Sequence, residues 1–317
     1  MRGFLKFDST KNLIRNSLKG FSQVMLMNNA ISGGLILLGI ILHSPFLGLM
    51  ALLSSMVGTL TGKYCGGDKI AVSQGIYGFN SILSGIAVML FLQNDWNWLI
   101  ALFAAVAAAL LMVFLSEFLA KRNILLLTFP FIFVTWISLF AAYRFDALHI
   151  NPSFVTSSPA NWNLPVEGKP NFLLGLIKGV GEVFIIDSLW AGSLILIALF
   201  VAGWRFGVYA IIGTFVSWLT AYSLGVDVEL LDLGLYNYNA VLTMIAVGLM
   251  FDEKNNYFPL MGIFAAAMTV PIAAGMDLIL NPNGLPVLTS PFIISTWLFL
   301  AMRKTIPRFE SQIIDKQ

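Results

Sequence analysis

Charge is scarce in this sequence. Only 11% of its 317 residues are charged, against about 25% in ordinary soluble domains. So little charge cannot coat a soluble globule of that size. Cysteine is nearly absent: Cys65 stands alone, which excludes an intrachain disulfide and leaves the redox compartment open. Only two histidines occur, His43 and His149, and no His/Cys/carboxylate cluster has metal-ligand spacing. There is no Gly-x-Ser-x-Gly elbow and no Walker loop. Gly179-Val-Gly181 has no strand before it and is too weak for a dinucleotide site. These absences argue against an enzyme and leave no cofactor to bind. A net charge of +2 is too small to argue for a nucleic-acid partner. A cleavable secretory signal is not expected, because Arg2, Lys6, Lys11, Arg15 and Lys19 are spread through the first residues and no small-residue cleavage site follows a short apolar core.

What is abundant is apolar. Hydrophobic residues make up 58% of the chain, and Asn97–Ser116 and Ile124–Tyr143 each run 20 residues without a charge. A helix of roughly 20 residues, rising 1.5 Å per residue, crosses the hydrocarbon core of a bilayer. Ten such segments are expected, over about 20–42, 45–62, 70–92, 98–119, 124–143, 172–200, 206–223, 230–250, 257–280 and 285–302. The first and sixth are long and interrupted by polar residues, which suggests broken or re-entrant elements. The 13 Met and 26 Phe read as lipid-facing and packing residues. Residues 144–171 carry Pro152, Pro159, Pro165 and Pro170 and read as a surface connection. Residues 1–17 alternate basic and apolar positions and are expected to lie along the membrane surface.

With the N-terminus inside and ten crossings, all but three of the 18 Lys and Arg fall on the inner side; the exceptions are Arg144, Lys169 and Lys178. That asymmetry follows the positive-inside rule and sets both termini in the cytoplasm.

The chain also repeats itself, and repeats of this kind are the first thing to read in a sequence. Thr128-Phe-Pro-Phe-Ile-Phe-Val-Thr-Trp136 matches Thr289-Ser-Pro-Phe-Ile-Ile-Ser-Thr-Trp297 at an offset of 161. Gly75-Ile-Tyr-Gly-Phe-Asn80 matches Gly234-Leu-Tyr-Asn-Tyr-Asn239, and Lys19-Gly-Phe-Ser-Gln-Val24 matches Lys178-Gly-Val-Gly-Glu-Val183, both at 159. Five spans per copy is odd, so the second copy must be inverted. The expected architecture is an all-α polytopic membrane protein with ten transmembrane helices in two inverted five-helix repeats, and broken helices around a central pore. A cytoplasmic arm (1–17), first repeat (18–143), extracytoplasmic loop (144–171), second repeat (172–302) and cytoplasmic tail (303–317) follow.

Polar residues inside spans normally face a cavity or a partner helix. The repeat pairs Gln23 with Glu182, Thr128 with Thr289, Asn80 with Asn239 and Asn28 with Asp187. Proline within a span frees backbone carbonyls. One Thr-x-Pro-Phe would read as a packing kink with Thr bonding its own helix; two in matched positions read as a central site edged by Thr hydroxyls, freed carbonyls, Gln23 and Glu182. Phe79 and Tyr238 are likewise equivalent, as are Leu83 and Leu242 four residues on, so each aromatic shares a helix face with a leucine. Such a face either packs against lipid and core or walls a slot for a thin planar solute. Gly58-Thr-Leu-Thr-Gly62 reads as a close helix-packing contact.

Leu285-Pro-Val-Leu-Thr-Ser-Pro-Phe292 resembles the L-P-x-x-T-x-P-F signature of the urea transporter family, and Ile124-Leu-Leu-Leu-Thr-Phe-Pro-Phe131 is a degenerate first copy. The runs at 75–80 and 234–239 are similar to that family too. The resemblance covers roughly residues 18–302 and points to a bacterial member in the inner (cell) membrane. It implies a channel-like urea facilitator, usually a homotrimer with one pore per protomer. By position, Gln23, Glu182, Thr128 and Thr289 would supply or frame acceptors. Phe79, Leu83, Tyr238, Leu242, Val24 and Val183 would wall the slots. Leu26 stands where the family usually has a Phe, which implies one wider slot.

Urea suits such a path, being planar, neutral and rich in donors. Acceptors can replace its water without deep wells, and permeation needs binding weak enough to leave. An ionised Glu182 would attract cations, so it is expected to be neutral, or held by strong hydrogen bonds, at pH 7. The competing reading is a proton- or sodium-coupled transporter of a small neutral amide, with Glu182 and Asp187 as relay. An ammonium channel would want a pore histidine, and His43 and His149 fall at a span end and in a loop.

Overall fold

The computed structural model describes residues 10–122, 124–145, 148–151, 168–250 and 258–302. Among these the chain is almost wholly helical, and its only extended pairing is an isolated bridge between Leu92 and Ile150. The first half builds α1 (Thr10–Val24), α2 (Ala30–His43), α3 (Pro45–Tyr64), α4 (Lys69–Ser73), α5 (Ile76–Phe91), α6 (Asn97–Ala120) and α7 (Phe129–Ala142). The second builds α8 (Phe172–Gly181), α9 (Leu189–Ala202), α10 (Trp204–Ser223), α11 (Val228–Leu233), α12 (Asn237–Ile245), α13 (Phe258–Leu280) and α14 (Ser290–Ala301). The order of long, short and broken elements is the same in both.

Local sequence sets the helix starts. The Asn29 side chain accepts from Ile31 N and Ser32 N at the head of α2, and its repeat equivalent Ser188 accepts from Ala191 N at the head of α9. Asp68 caps α4, and Asp227, again equivalent, caps α11. Each cap supplies an acceptor to backbone donors that a helix start leaves open.

Among the described residues, four helices, α3, α6, α10 and α13, are individually long and apolar enough to cross a membrane. Helices α8 and α9 are long and apolar enough only when taken together, and they bend by 81° at the break over 185–188. That break, and the one between α1 and α2, fall where polar residues interrupt the first and sixth apolar segments. The third and eighth segments are broken as well, which their apolar composition conceals. Gly75 and Gly234 end α4 and α11 with φ of 77° and 73°. That left-handed geometry is open to glycine at little cost. There is also no room for a side chain, because a Cβ on Gly75 would meet the backbone of Gly20 and one on Gly234 that of Gly179.

The boundary expected at residue 17 falls inside α1, which runs unbroken from Thr10 and buries Ser17 completely. Residues 1–9, most of the 144–171 connection and the tail from 303 lie outside the described residues. Within that connection, residues 148–151 are tied to the end of α5, with Gln93 N donating to His149 O and Asn151 N to Phe91 O, each at 2.8 Å.

Packing follows the rules of a bilayer rather than of water. Helix α6 buries Ala101, Ala104, Ala105 and Ala108, while Phe103, Phe114 and Phe118 are more than half exposed. Lipid is as apolar as phenylalanine, so there is no drive to bury the large rings, and small residues let backbones approach. Gly58 and Gly62 of α3 do this work against α5: a Cβ at either would overlap Ser81 or the Tyr77 ring. Between the halves, α2 packs against α9, with Gly39 set against the backbone of Ala191.

Candidate functional site

The two Thr-x-Pro-Phe motifs meet in the middle of the molecule. Their prolines do not interrupt spans, contrary to the expectation from sequence. Pro130 and Pro291 sit in the first turn of α7 and α14, where a missing N–H costs nothing because that donor has no helical partner. The break lies just before them. Leu127 and Leu288 adopt left-handed φ of 50° and 51°, a region that costs a leucine roughly 1–2 kcal/mol. Leu26 and Ile185 make a second such pair, with φ of 61° and 59° after α1 and α8. All four non-glycine residues with positive φ among the described residues are thus repeat-related, and strain of this kind gathers at functional sites.

Asparagines hold the first pair of turns. Asn80 Nδ2 donates to Leu127 O at 3.2 Å while its Oδ1 accepts from Phe131 N at 3.1 Å. Asn239 Nδ2 donates to Leu288 O at 3.2 Å and its Oδ1 accepts from Phe292 N at 3.1 Å. The two buried amides therefore clamp turn and helix start together, a structural task rather than a lining one.

Thr128 and Thr289 occupy the N-cap positions of α7 and α14, yet neither side chain caps its own helix. Their hydroxyls bond each other across the halves at 2.7 Å. Outside them, Trp136 Nε1 donates to Pro286 O at 2.9 Å and Trp297 Nε1 donates to Leu125 O at 2.8 Å. Since 136 pairs with 297 and 125 with 286 in the repeat, these bonds are reciprocal, the mark of a local two-fold relation. The tryptophan role escaped the sequence reading, although both residues close the nine-residue repeat and carried the signal.

A cavity of about 720 Å³ opens onto this centre from the first half. Gln23, Val24, Leu26, Phe79 and Thr128 all line it, joined by Phe292 from the other half. Its polar rim includes Asp68, Glu117 and Lys121, which belong to no motif of the repeat. Gln23 Nε2 is committed to Gln74 O at 3.0 Å, leaving its carbonyl oxygen as acceptor. Leu83 lies one turn beyond Phe79, fully buried and outside the cavity lining, and Leu242 is equally buried.

On the second-half side, Glu182 and Val183 form the 3-10 turn that ends α8, with Val183 buried and Glu182 half-buried. Among the described residues no donor bonds the Glu182 carboxylate. Asp187 is held by Lys178 at 2.7 Å, whereas the equivalent Asn28 has a buried Oδ1 without a hydrogen-bond partner among the described residues. Tyr238 donates its hydroxyl to Leu288 O at 2.8 Å. His43 ends α2 and His149 lies in the connection, both exposed and away from the cavity.

Long apolar helices, helices interrupted at depth and a buried polar centre approached by a cavity define an integral membrane protein built to pass a solute. Non-helical backbone is tolerated at that depth only where protein buries it or water lines it. A sequence profile described as "UT: Urea transporter" matches residues 14–304, and the chain belongs to the urea transporter family. It is accordingly a transporter and not an enzyme. Urea transporter 1 of Ovis aries is 29% identical, over 94% of this chain and 79% of the relative's length. Urea transporter 1 of Mus musculus is similar to the same degree over the same shares, and that of Rattus norvegicus is 28% identical.

Proposed function

We propose that this protein passes urea passively down its gradient through a fixed slot between two inverted repeats. The observation that carries the reading is the meeting of Thr128 and Thr289 at the head of two interrupted helices, with a cavity leading to them. Urea has four N–H donors and one carbonyl. A path offering Gln23 Oε1, the Leu127 carbonyl before α7, the two Thr oxygens and the Glu182 carboxyl exchanges its water step by step. The rings of Phe79 and Tyr238, with Val24, Val183, Leu26, Leu83 and Leu242 behind or beside them, would flatten the path to the thickness of an amide. Nothing apolar can replace the shell of a hydrated ion, which excludes ions.

In this reading the short helices of each half pair end to end into crossings, making five per repeat and ten in all. Both termini are cytoplasmic, the membrane is the bacterial inner membrane, and three protomers associate, each with its own pore, as the family resemblance implies. The matched left-handed turns at Leu26 and Ile185, at Leu127 and Leu288 and at Gly75 and Gly234, with the Asn80 and Asn239 clamps, support the repeat. The charge asymmetry supports the orientation.

Stopped-flow urea flux in liposomes carrying the purified protein, with and without a proton or sodium gradient, tests the reading. Fast flux that ignores both gradients is expected. Accumulation driven by either gradient, or no flux above empty liposomes, would overturn it.

A further inference from the structure

The two halves are matched to within a tenth of an ångström at the asparagine clamps, yet they differ by one atom beside them. Position 238 is Tyr where its repeat equivalent, 79, is Phe. The added hydroxyl donates to Leu288 O, at 2.8 Å, so that carbonyl accepts twice, from Tyr238 and from Asn239 Nδ2. A carbonyl oxygen has two lone pairs, and both are taken. The equivalent Leu127 O accepts from Asn80 alone among the described residues, and Leu127 lines the cavity. One turn thus keeps an open acceptor and the other has it filled from within.

We propose that the Tyr238 hydroxyl is a specificity-determining group: it withholds the Leu288 carbonyl from the solute, so that the row of acceptors along the path is unequal at its two ends. The proposal rests on the passive urea reading above. The phenol oxygen that remains is a poorer acceptor than an amide carbonyl, so the second end grips a donor-rich solute less than the first. That inequality keeps the path from holding urea at two equal stations and favours its departure, since conduction requires sites weak enough to leave.

The asymmetry is reversible by exchange. Tyr238→Phe opens the second carbonyl, and Phe79→Tyr is placed to fill the first. Acetamide is the discriminating probe, because it has nearly the shape of urea with two N–H donors instead of four. A ring that merely packs, or merely steadies the Leu288 turn, would alter both solutes together. An acceptor gained or lost acts on the donor-rich one.

Saturation curves for urea and acetamide are measured in liposomes for the wild type and both variants, alongside their thermal stability in detergent. Tyr238→Phe is expected to lower the half-saturating urea concentration by about two- to tenfold, the range of one net hydrogen bond, with a smaller change for acetamide. Phe79→Tyr should move the urea-to-acetamide ratio the opposite way, and it decides alone if the first variant does not fold. Equal shifts for both solutes, or none, in folded protein overturn the inference while leaving the urea pore standing. A wild type that passes no urea removes the pore reading and this inference with it.

Discussion

Thr128 and Thr289, 161 positions apart, share one hydrogen bond of 2.7 Å at the junction of the two halves. Each hydroxyl is buried, and neither serves its own helix, so each has the other as its partner. Thr128→Val or Thr289→Val strands the opposite hydroxyl, which costs about 1–3 kcal/mol. The double variant should lose clearly less than the sum of the two, because it strands nothing. Thermal unfolding of the purified single and double variants in detergent checks this. If the flux reading is right, all three also conduct urea more slowly than the wild type.

The asparagine clamps should be less forgiving than the threonines. Asn80→Ala or Asn239→Ala leaves a buried carbonyl and a buried N–H short of a bond, and it also releases a leucine from left-handed backbone. A loss of about 2–4 kcal/mol is expected from two such groups. Asn80→Asp keeps the acceptor for Phe131 N but sets a buried carboxylate against Leu127 O, so it should be at least as destabilising as Ala at neutral pH. Yield of folded protein and melting temperature in detergent read this order directly.

Glu182 should act through its shape and oxygen atoms rather than its charge. Glu182→Gln is expected to retain most of the urea flux, while Glu182→Leu, which removes the acceptor, should reduce it by about tenfold, the scale of one lost hydrogen bond. Flux abolished by Gln in a folded protein would make the carboxylate indispensable. A cation leak through the wild type, measured as a membrane current in the same liposomes, would likewise count against a neutral path.

Asp187 offers the sharpest contrast with a coupled transporter. Its carboxylate is half exposed and held by Lys178 at 2.7 Å, an arrangement worth about 0–1 kcal/mol at a surface. Asp187→Asn should leave urea flux close to that of the wild type at any imposed proton gradient. A large loss confined to gradient-driven conditions would instead place Asp187 on a proton route.

Much of this is legible in the sequence. Low charge and long apolar runs gave the membrane, and the repeated Lys19, Gly75 and Thr128 motifs gave two copies. The first and sixth segments carried polar residues that betrayed their breaks. Other features were hidden for physical reasons. The left-handed turns at Gly75 and Gly234 lie within apolar stretches, where hydropathy cannot see a change of backbone direction. Pro130 and Pro291 looked like breaks in a span because the sequence does not mark where the helix begins, and a proline one position inside a helix start is harmless. Asn80 and Asn239 stand out in the sequence as paired polar residues, but a side chain that clamps backbone and one that faces a solute look alike until their partners are known.

The reciprocal tryptophan bonds have a consequence for how the chain is made. Trp297 reaches back 172 positions to Leu125 O, and Trp136 must wait for Pro286, 150 positions later in synthesis. The first half therefore enters the membrane with its central turn unfinished. It can close only when Pro286 and α14 arrive, so the second half acts as the lock on the centre of the first. A chain truncated before Leu285 would lose more than one helix: it would leave the first half with the Leu125 carbonyl open, Thr128 unpaired and the Trp136 indole without its acceptor.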